Sequence, residues 1–191
     1  LELISGVYKP TDGKIIVDNL DLNNYNISDF RNSIGYVPQT TFLFSDTIEN
    51  NIKFGKHEAT YEELINSSKS SCLHNDILSF DKEYKTLLGE RGVNLSGGQK
   101  QRLSIARAII KKPKILLLDD SLSAVDTETE EKIINNINSI TKNITVFITT
   151  HRISTSKKCD KILMLKDGSI ESIGSHKELM KEKKSYFSIF N

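Results

Sequence analysis

The chain has 191 residues, with 26 Lys+Arg against 25 Asp+Glu, a formal net charge of +1 and two cysteines. That length builds one domain with a real core, or at most two small ones, and one is expected. The near-neutral balance excludes a strong global field that would draw nucleic acid or an anionic membrane surface.

Cys72 and Cys159 match no metal-ligand spacing and are too few for a disulfide scaffold, which fits a reducing cytosol. No apolar run approaches the roughly 20 residues that span a bilayer, and LELISG is not a signal peptide. Leu1, Leu3 and Ile4 before Gly6 read as the last turn of a buried helix, so the chain is expected to be a fragment.

A turn at Pro10, Asp12 and Gly13 leads into KIIVDNLDL, two short strands joined tightly at Asp18-Asn19. DFRNSIGYVPQ then predicts a helical turn and a strand Ile34–Val37, broken at Pro38 with Gln39 just beyond. A helix start at Asp46 runs to Gly55, and a second helical stretch covers Tyr61 to about Leu73.

Leu103, Ala106, Ile109 and Ile110 fall at helical spacing, with Pro113 just past the expected helix end. KILLLDD is a continuous apolar run, as expected of a strand covered on both faces. Asp126 to about Ile140 predicts a helix with Ile133, Ile134 and Ile137 on one side, and NITVFITTH a second buried strand. A strand, a crossover helix and a parallel strand make an α/β fold. The remainder predicts a strand, an Asp167-Gly168 turn, another strand and a final helix capped near Ser175.

Three predicted strands end in polar groups: Gln39 after Ile34–Val37, Asp119 and Asp120 after Ile115–Leu118, and His151 after Ile144–Thr149. Ligands in open α/β sheets sit beyond the carboxyl ends of the strands, so parallel neighbours would bring these side chains together. A strand-end carboxylate suits Mg²⁺, a second can polarise an attacking water, and a histidine can meet developing phosphoryl charge. Each also has a structural alternative: loop hydrogen bonding for Gln39, a core or loop role for His151, helix capping for the aspartates and for Ser96.

The order of these groups decides between the readings. Leu95-Ser96-Gly97-Gly98-Gln99, followed by Lys100-Gln101-Arg102, resembles the signature motif of ATP-binding cassette (ABC) ATPases. Tyr36-Val37-Pro38-Gln39 looks like the family's Q-loop, Ile115 to Asp120 like Walker B, Ser123-Ala124-Val125-Asp126 like the D-loop, and Thr150-His151-Arg152-Ile153 like the switch histidine.

The resemblance covers essentially the whole chain. It implies a P-loop NTPase-like nucleotide-binding domain with a mostly parallel sheet, a small antiparallel part and a helical subdomain. Residues from about 36 to 110 would hold the Q-loop, helical subdomain and signature, and 111–191 Walker B, D-loop, switch histidine and C-terminal part. ATP and Mg²⁺ are the implied cofactors, with Gln39 and Asp119 as metal groups. Gln39, Ser96, Gly97, Gly98, Gln99, Asp119 and His151 are the implied nucleotide contacts, and Asp120 with His151 the catalytic pair. In the family the signature faces the nucleotide of the opposite subunit, so a dimer is implied; nucleic acid is not an expected partner.

GERGVNLSGGQKQRLSIARAI and LFSDTIENNIKFG most resemble cassettes of exporters, in which a membrane domain is fused to the cassette. Gly89-Glu90-Arg91-Gly92 would communicate with that domain at the cytoplasmic face of the membrane, and Phe42 to Phe54 would help form its docking groove. Most active members carry Glu where this chain has Asp120. The resemblance therefore implies one subunit of a heterodimeric exporter, with a slow site at Asp120 and an intact signature serving the partner. Alternatives are an ATP-gated module with little turnover and a soluble ATPase of repair or translation type. The phosphate-cradling G-x-x-x-x-G-K-[ST] is not among these residues, so the segment by itself is expected not to hydrolyse ATP.

Overall fold

The computed structural model describes residues 1–92, 94–140, 144–182 and 185–189. They form two compact units, Leu1–Thr149 and Thr150–Asn191.

In the first unit the opening residues make a hydrogen-bonded turn of the kind that closes a helix. The Gly6 N–H bonds the Leu3 carbonyl at 3.1 Å and the Val7 N–H that of Glu2 at 3.0 Å, with Gly6 at φ +70. This crossed pair needs a left-handed residue, which glycine adopts without a Cβ clash. Leu1 and Ile4 pack inward against Leu22, Phe30 and Leu117 as expected, whereas Leu3 is exposed.

Strands β1 (Ile16–Val17) and β2 (Leu20–Asp21) form the predicted hairpin, with Asp18 at φ 47 and Asn19 at φ 66. Two positive φ values make the turn whose twist matches a hairpin, and Asp and Asn are the side chains that tolerate it. Asn26 caps α1 (Ile27–Asn32), which delivers the chain to β3 (Ile34–Val37).

A helical layer follows. The N-cap of α2 (Ile48–Lys53) is Thr47, one residue later than the predicted start at Asp46. Thr60 and Glu63 close a capping box on α3 (Tyr61–Ser70), and α4 (His74–Leu78) completes the layer.

Helix α5 (Gly97–Ile109) is buried on two sides. Leu103 and Ala106 join the core of the helical layer with Ile52, Leu64 and Ile77, while Ile105 and Ala108 pack on the sheet. Strand β4 (Ile115–Asp119) lies between β3 and β5 (Thr145–Thr149), all parallel, with α6 (Thr127–Ile140) as the crossover. Leu116 and Leu118 face α5 and α6, Leu117 faces Phe30 and Leu22, and all three are fully buried. At roughly 1.5–3 kcal/mol per fully buried leucine, this strand anchors both faces.

The expectation of a second fully buried strand is corrected. In β5 the burial alternates, with Phe147 37% exposed and Val146 and Ile148 turned to the core. Among the described residues β5 pairs only with β4, and only its Val146–Ile148 face is packed.

The second unit contains α7 (Ile153–Ser156), the antiparallel pair β6 (Ile162–Lys166) and β7 (Ser169–Gly174), α8 (His176–Glu182) and α9 (Ser185–Ile189). The Asp167-Gly168 turn and the helix after Ser175 are as predicted; α9 is not foreseen. Its Tyr186 packs on Ile162 and Leu179 and sets its hydroxyl 3.0 Å from His176 Nδ1.

Candidate functional site at the carboxyl ends of the parallel strands

The register of the sheet builds the site. Val37 pairs with Leu118, so continuing along both strands sets Gln39 level with Asp120, while Asp119 pairs directly with Thr149. Gln39, beyond the proline that ends β3, donates from Nε2 to Asp120 Oδ2 at 3.3 Å. Gln39, Asp119 and Asp120 are thus brought together as the sequence predicts.

Asp120 follows the last residue of β4 in a left-handed conformation, φ 44, a region Asp visits more readily than most residues. That turn aims its N–H at Thr149, with bonds of 2.9 Å to Oγ1 and 3.2 Å to the carbonyl, and its own carbonyl at Ser123 Oγ, 2.9 Å away. Thr149 in turn donates its hydroxyl to Asp119 Oδ1 at 2.6 Å, and Tyr36 makes a long bond of 3.4 Å to Asp119 Oδ2. Burial, with the Asp119 carboxylate beside it, pushes the Tyr36 phenol above its ordinary value, so it stays a donor at neutral pH.

Asp119 is therefore an oriented, half-exposed carboxylate with lone pairs to spare, next to a carboxamide. Hard oxygen donors of this kind fit Mg²⁺. Thr149 is a neighbour of the site that sequence reasoning did not single out, visible only as a polar tip on an apolar strand, and Tyr36 entered only as part of the Q-loop run.

The signature run opens α5. Ser96 accepts the Gln99 N–H at 3.2 Å and Gln99 Oε1 accepts the Ser96 N–H at 3.0 Å, a complete capping box. Ser96 and Gly97 are exposed at the start of this 13-residue helix, where unpaired N–H groups and the dipole favour an anion. The Gln99 amide is committed within the fold, since Nε2 donates to Asp76 Oδ1 at 3.0 Å. Arg102 joins the same carboxylate at 2.8 Å and also bonds the Cys72 carbonyl.

The segment Ser123–Asp126 leads into α6, and Asp126 Oδ1 accepts the Thr129 N–H at 2.9 Å. That backbone bond, first among the causes, holds the Asp126 carboxyl below its usual range. His151 is exposed and belongs to the second unit, two residues past the end of β5.

A second polar feature lies on the helical layer. Arg107 is half-buried and donates to the Asn51 carbonyl (2.8 Å), Asn51 Oδ1 (2.9 Å) and the Phe42 carbonyl (2.8 Å). Its guanidinium also lies 5.6 Å from the Phe44 ring centroid and 5.7 Å from that of Phe54. Burial pushes it down to about 10, which leaves it charged at neutral pH. Phe42, Phe44 and Phe54 remain 55%, 36% and 51% exposed, an aromatic surface held from beneath by a cation.

A parallel sheet with carboxylates at its tips, beside a glycine-rich helix start, defines a nucleotide-binding α/β domain. The chain belongs to the ABC transporter family, whose model matches residues 1–123. It is 46% identical over 188 residues to the multidrug resistance-like ATP-binding protein MdlA of Buchnera aphidicola, covering 98% of this chain and 32% of that protein. It is 39% identical over 189 residues to human ATP-binding cassette sub-family B member 5, covering 99% of this chain and 15% of that protein. Its fold matches a bacterial Atm1-family ABC exporter with ATP bound at TM-score 0.95 and 35% identity, over 99% of this chain and 33% of the other. Against the exporter structure and MdlA, the chain spans about a third of the matched protein's length. No helix among the described residues is long and apolar enough to cross a membrane.

Proposed function

We propose that this chain is the ATP-hydrolysing part of an ABC exporter, one of two nucleotide-binding subunits that close head to tail on ATP. The observation that carries it is the hydrogen-bonded cluster of Gln39, Asp119, Asp120 and Thr149 at the tips of adjacent parallel strands. In this reading residues 1–191 serve as one nucleotide-binding domain. Asp119 and Gln39 would hold Mg²⁺, and the chemistry it would supply is neutralisation of phosphate charge. Ser96, Gly97, Gly98 and Gln99 shape the surface that meets the partner's nucleotide. Ser123 and Asp126 belong to the loop that crosses between subunits, and His151 faces the transferring phosphoryl group.

Asp120 is the distinctive residue. Its carboxylate takes the Gln39 amide at 3.3 Å and is one methylene shorter than glutamate, so it lies roughly 1 Å short of a water-orienting position. A misplacement of that size can cost about a hundredfold in rate. The site built on this chain is accordingly the slow one of a heterodimer, and the partner supplies the competent Walker B. The exposed Phe42, Phe44 and Phe54 surface suits docking of a membrane domain at the cytoplasmic face. The segment taken alone lacks the phosphate-cradling run and is inactive in this reading.

The test is ATP-driven transport by the full-length polypeptide, purified with its partner and reconstituted in liposomes. ATP-dependent substrate movement that Asp119→Asn slows without abolishing is the expected result, since the competent Walker B is the partner's; a partner that also carries Asp at this position would sink the heterodimer assignment. The second reading, an ATP-gated module with little turnover, is favoured by Asp120 alone. It wins if nucleotide closes the dimer while neither site hydrolyses.

A further inference from the structure

We infer that Gln101 is a positioning residue that couples the Asp119–Asp120 site to the signature motif of the same chain. The inference rests on the reading above, in which these two features serve different nucleotides.

Gln101 lies on the sheet-facing stripe of α5, four and seven residues before Ile105 and Ala108, and is only 7% exposed. A carboxamide in such a place costs stability unless both its ends are bonded. Here Oε1 accepts the Ala124 N–H at 2.9 Å and Nε2 donates to Ser123 Oγ at 3.1 Å. A backbone N–H can only donate, so it fixes which way round the amide sits, and Gln101 must donate to Ser123. The single Ser123 proton is then free to point at the Asp120 carbonyl, 2.9 Å away.

The contact is also steric. A Cβ on Gly98 would meet the Ala124 carbonyl oxygen at 2.8 Å, so the first turn of α5 abuts the backbone of the same segment. A shift of the signature turn is therefore carried through Gln101 and Ser123 to the carbonyl of Asp120. Because Asp120 is held at φ 44, a narrow region for a residue with a side chain, the displaced carbonyl reorients its carboxylate.

Two substitutions separate this role from plain support. Gln101→Glu keeps the acceptor for Ala124 but replaces the donor with an ionised oxygen, which draws the Ser123 proton away from Asp120. Ser123→Ala removes the relay at an exposed position and changes no residue of α5, leaving only the Gln101 Nε2 donor without its acceptor.

In the full-length assembly with the partner's site disabled, each variant is expected to lower kcat at this chain's own site about tenfold with KM within about twofold, and the double variant to be no slower than the slower single. Losses that multiply, or a normal kcat in Ser123→Ala, would overturn the coupling, even if Gln101→Glu fails to fold. Should the wild-type assembly itself not turn over ATP, the export reading fails first. The coupling is then read by hydrogen exchange, where Ser123→Ala should accelerate the Asp120 amide severalfold; unchanged exchange overturns it.

Discussion

A single hydroxyl on Thr149 fixes both aspartates of the site, donating to Asp119 Oδ1 at 2.6 Å and accepting the Asp120 N–H at 2.9 Å. Thr149→Val keeps the shape and removes both bonds. Because Thr149 is exposed, the stability loss should stay near about 1 kcal/mol. The functional effect is larger: with the partner's site disabled, an unheld Asp119 should raise KM for Mg-ATP at this chain's own site by about threefold to tenfold in the full-length protein. An ATP titration of the variant against wild type at fixed free Mg²⁺ decides it, and an unchanged KM would contradict the role given to Thr149.

Lengthening Asp120 moves activity and stability in opposite directions. Asp120→Glu should raise turnover by about tenfold to a hundredfold at this chain's own site, since the carboxylate advances by one methylene. At φ 44 the longer side chain loses the local tolerance of Asp, so stability should fall by about 0.5–1 kcal/mol. Single-turnover hydrolysis, with the partner's site disabled, and a thermal melt of the same sample read both effects. Faster turnover without loss of stability would remove the backbone part of the account.

Arg107→Lys is not a conservative change here. The guanidinium reaches Asn51 and Phe42 through separate nitrogens and lies over two rings, a fork that one ammonium cannot reproduce. Leaving the Asn51 and Phe42 acceptors short of donors should cost about 2–4 kcal/mol. Urea unfolding of the full-length protein's ATP-binding part provides the measurement. Docking of the membrane domain should weaken with it, because the same cation holds the exposed aromatic surface in place.

Glu63 makes a prediction in acid. The Lys112 ammonium, then that of Lys56, then the Thr60 N–H hold its carboxyl down to about 2, from an ordinary 4.5. A carboxyl whose folded value lies below its unfolded one contributes stability above about 4.5 and loses it as pH falls toward about 2. Glu63→Gln should therefore be less stable than wild type at neutral pH, and the gap should close through that window. Urea midpoints measured down the acid limb would show parallel curves if the pairing contributed nothing.

What the sequence by itself determined is local. Ser96 with Gln99 closes its own capping box, Asp18-Asn19 adopts its own hairpin turn, and the unbroken apolar run of β4 requires cover on both faces. Each follows from residues within a few positions of one another. The motif order carried the family in the same way, because phosphate chemistry demands those side chains at strand and helix ends.

Only the tertiary structure decided the partners. Thr149 reaches Asp119 across 30 residues, Gln101 reaches Ser123 across 22, and Gln99 commits its amide to Asp76 across 23. No periodicity encodes such pairs, since they depend on which strand lies beside which and in what register. The half-exposed β5 has the same origin. A strand's own residues state how apolar it is, but burial belongs to the neighbours that the fold places on either side of it.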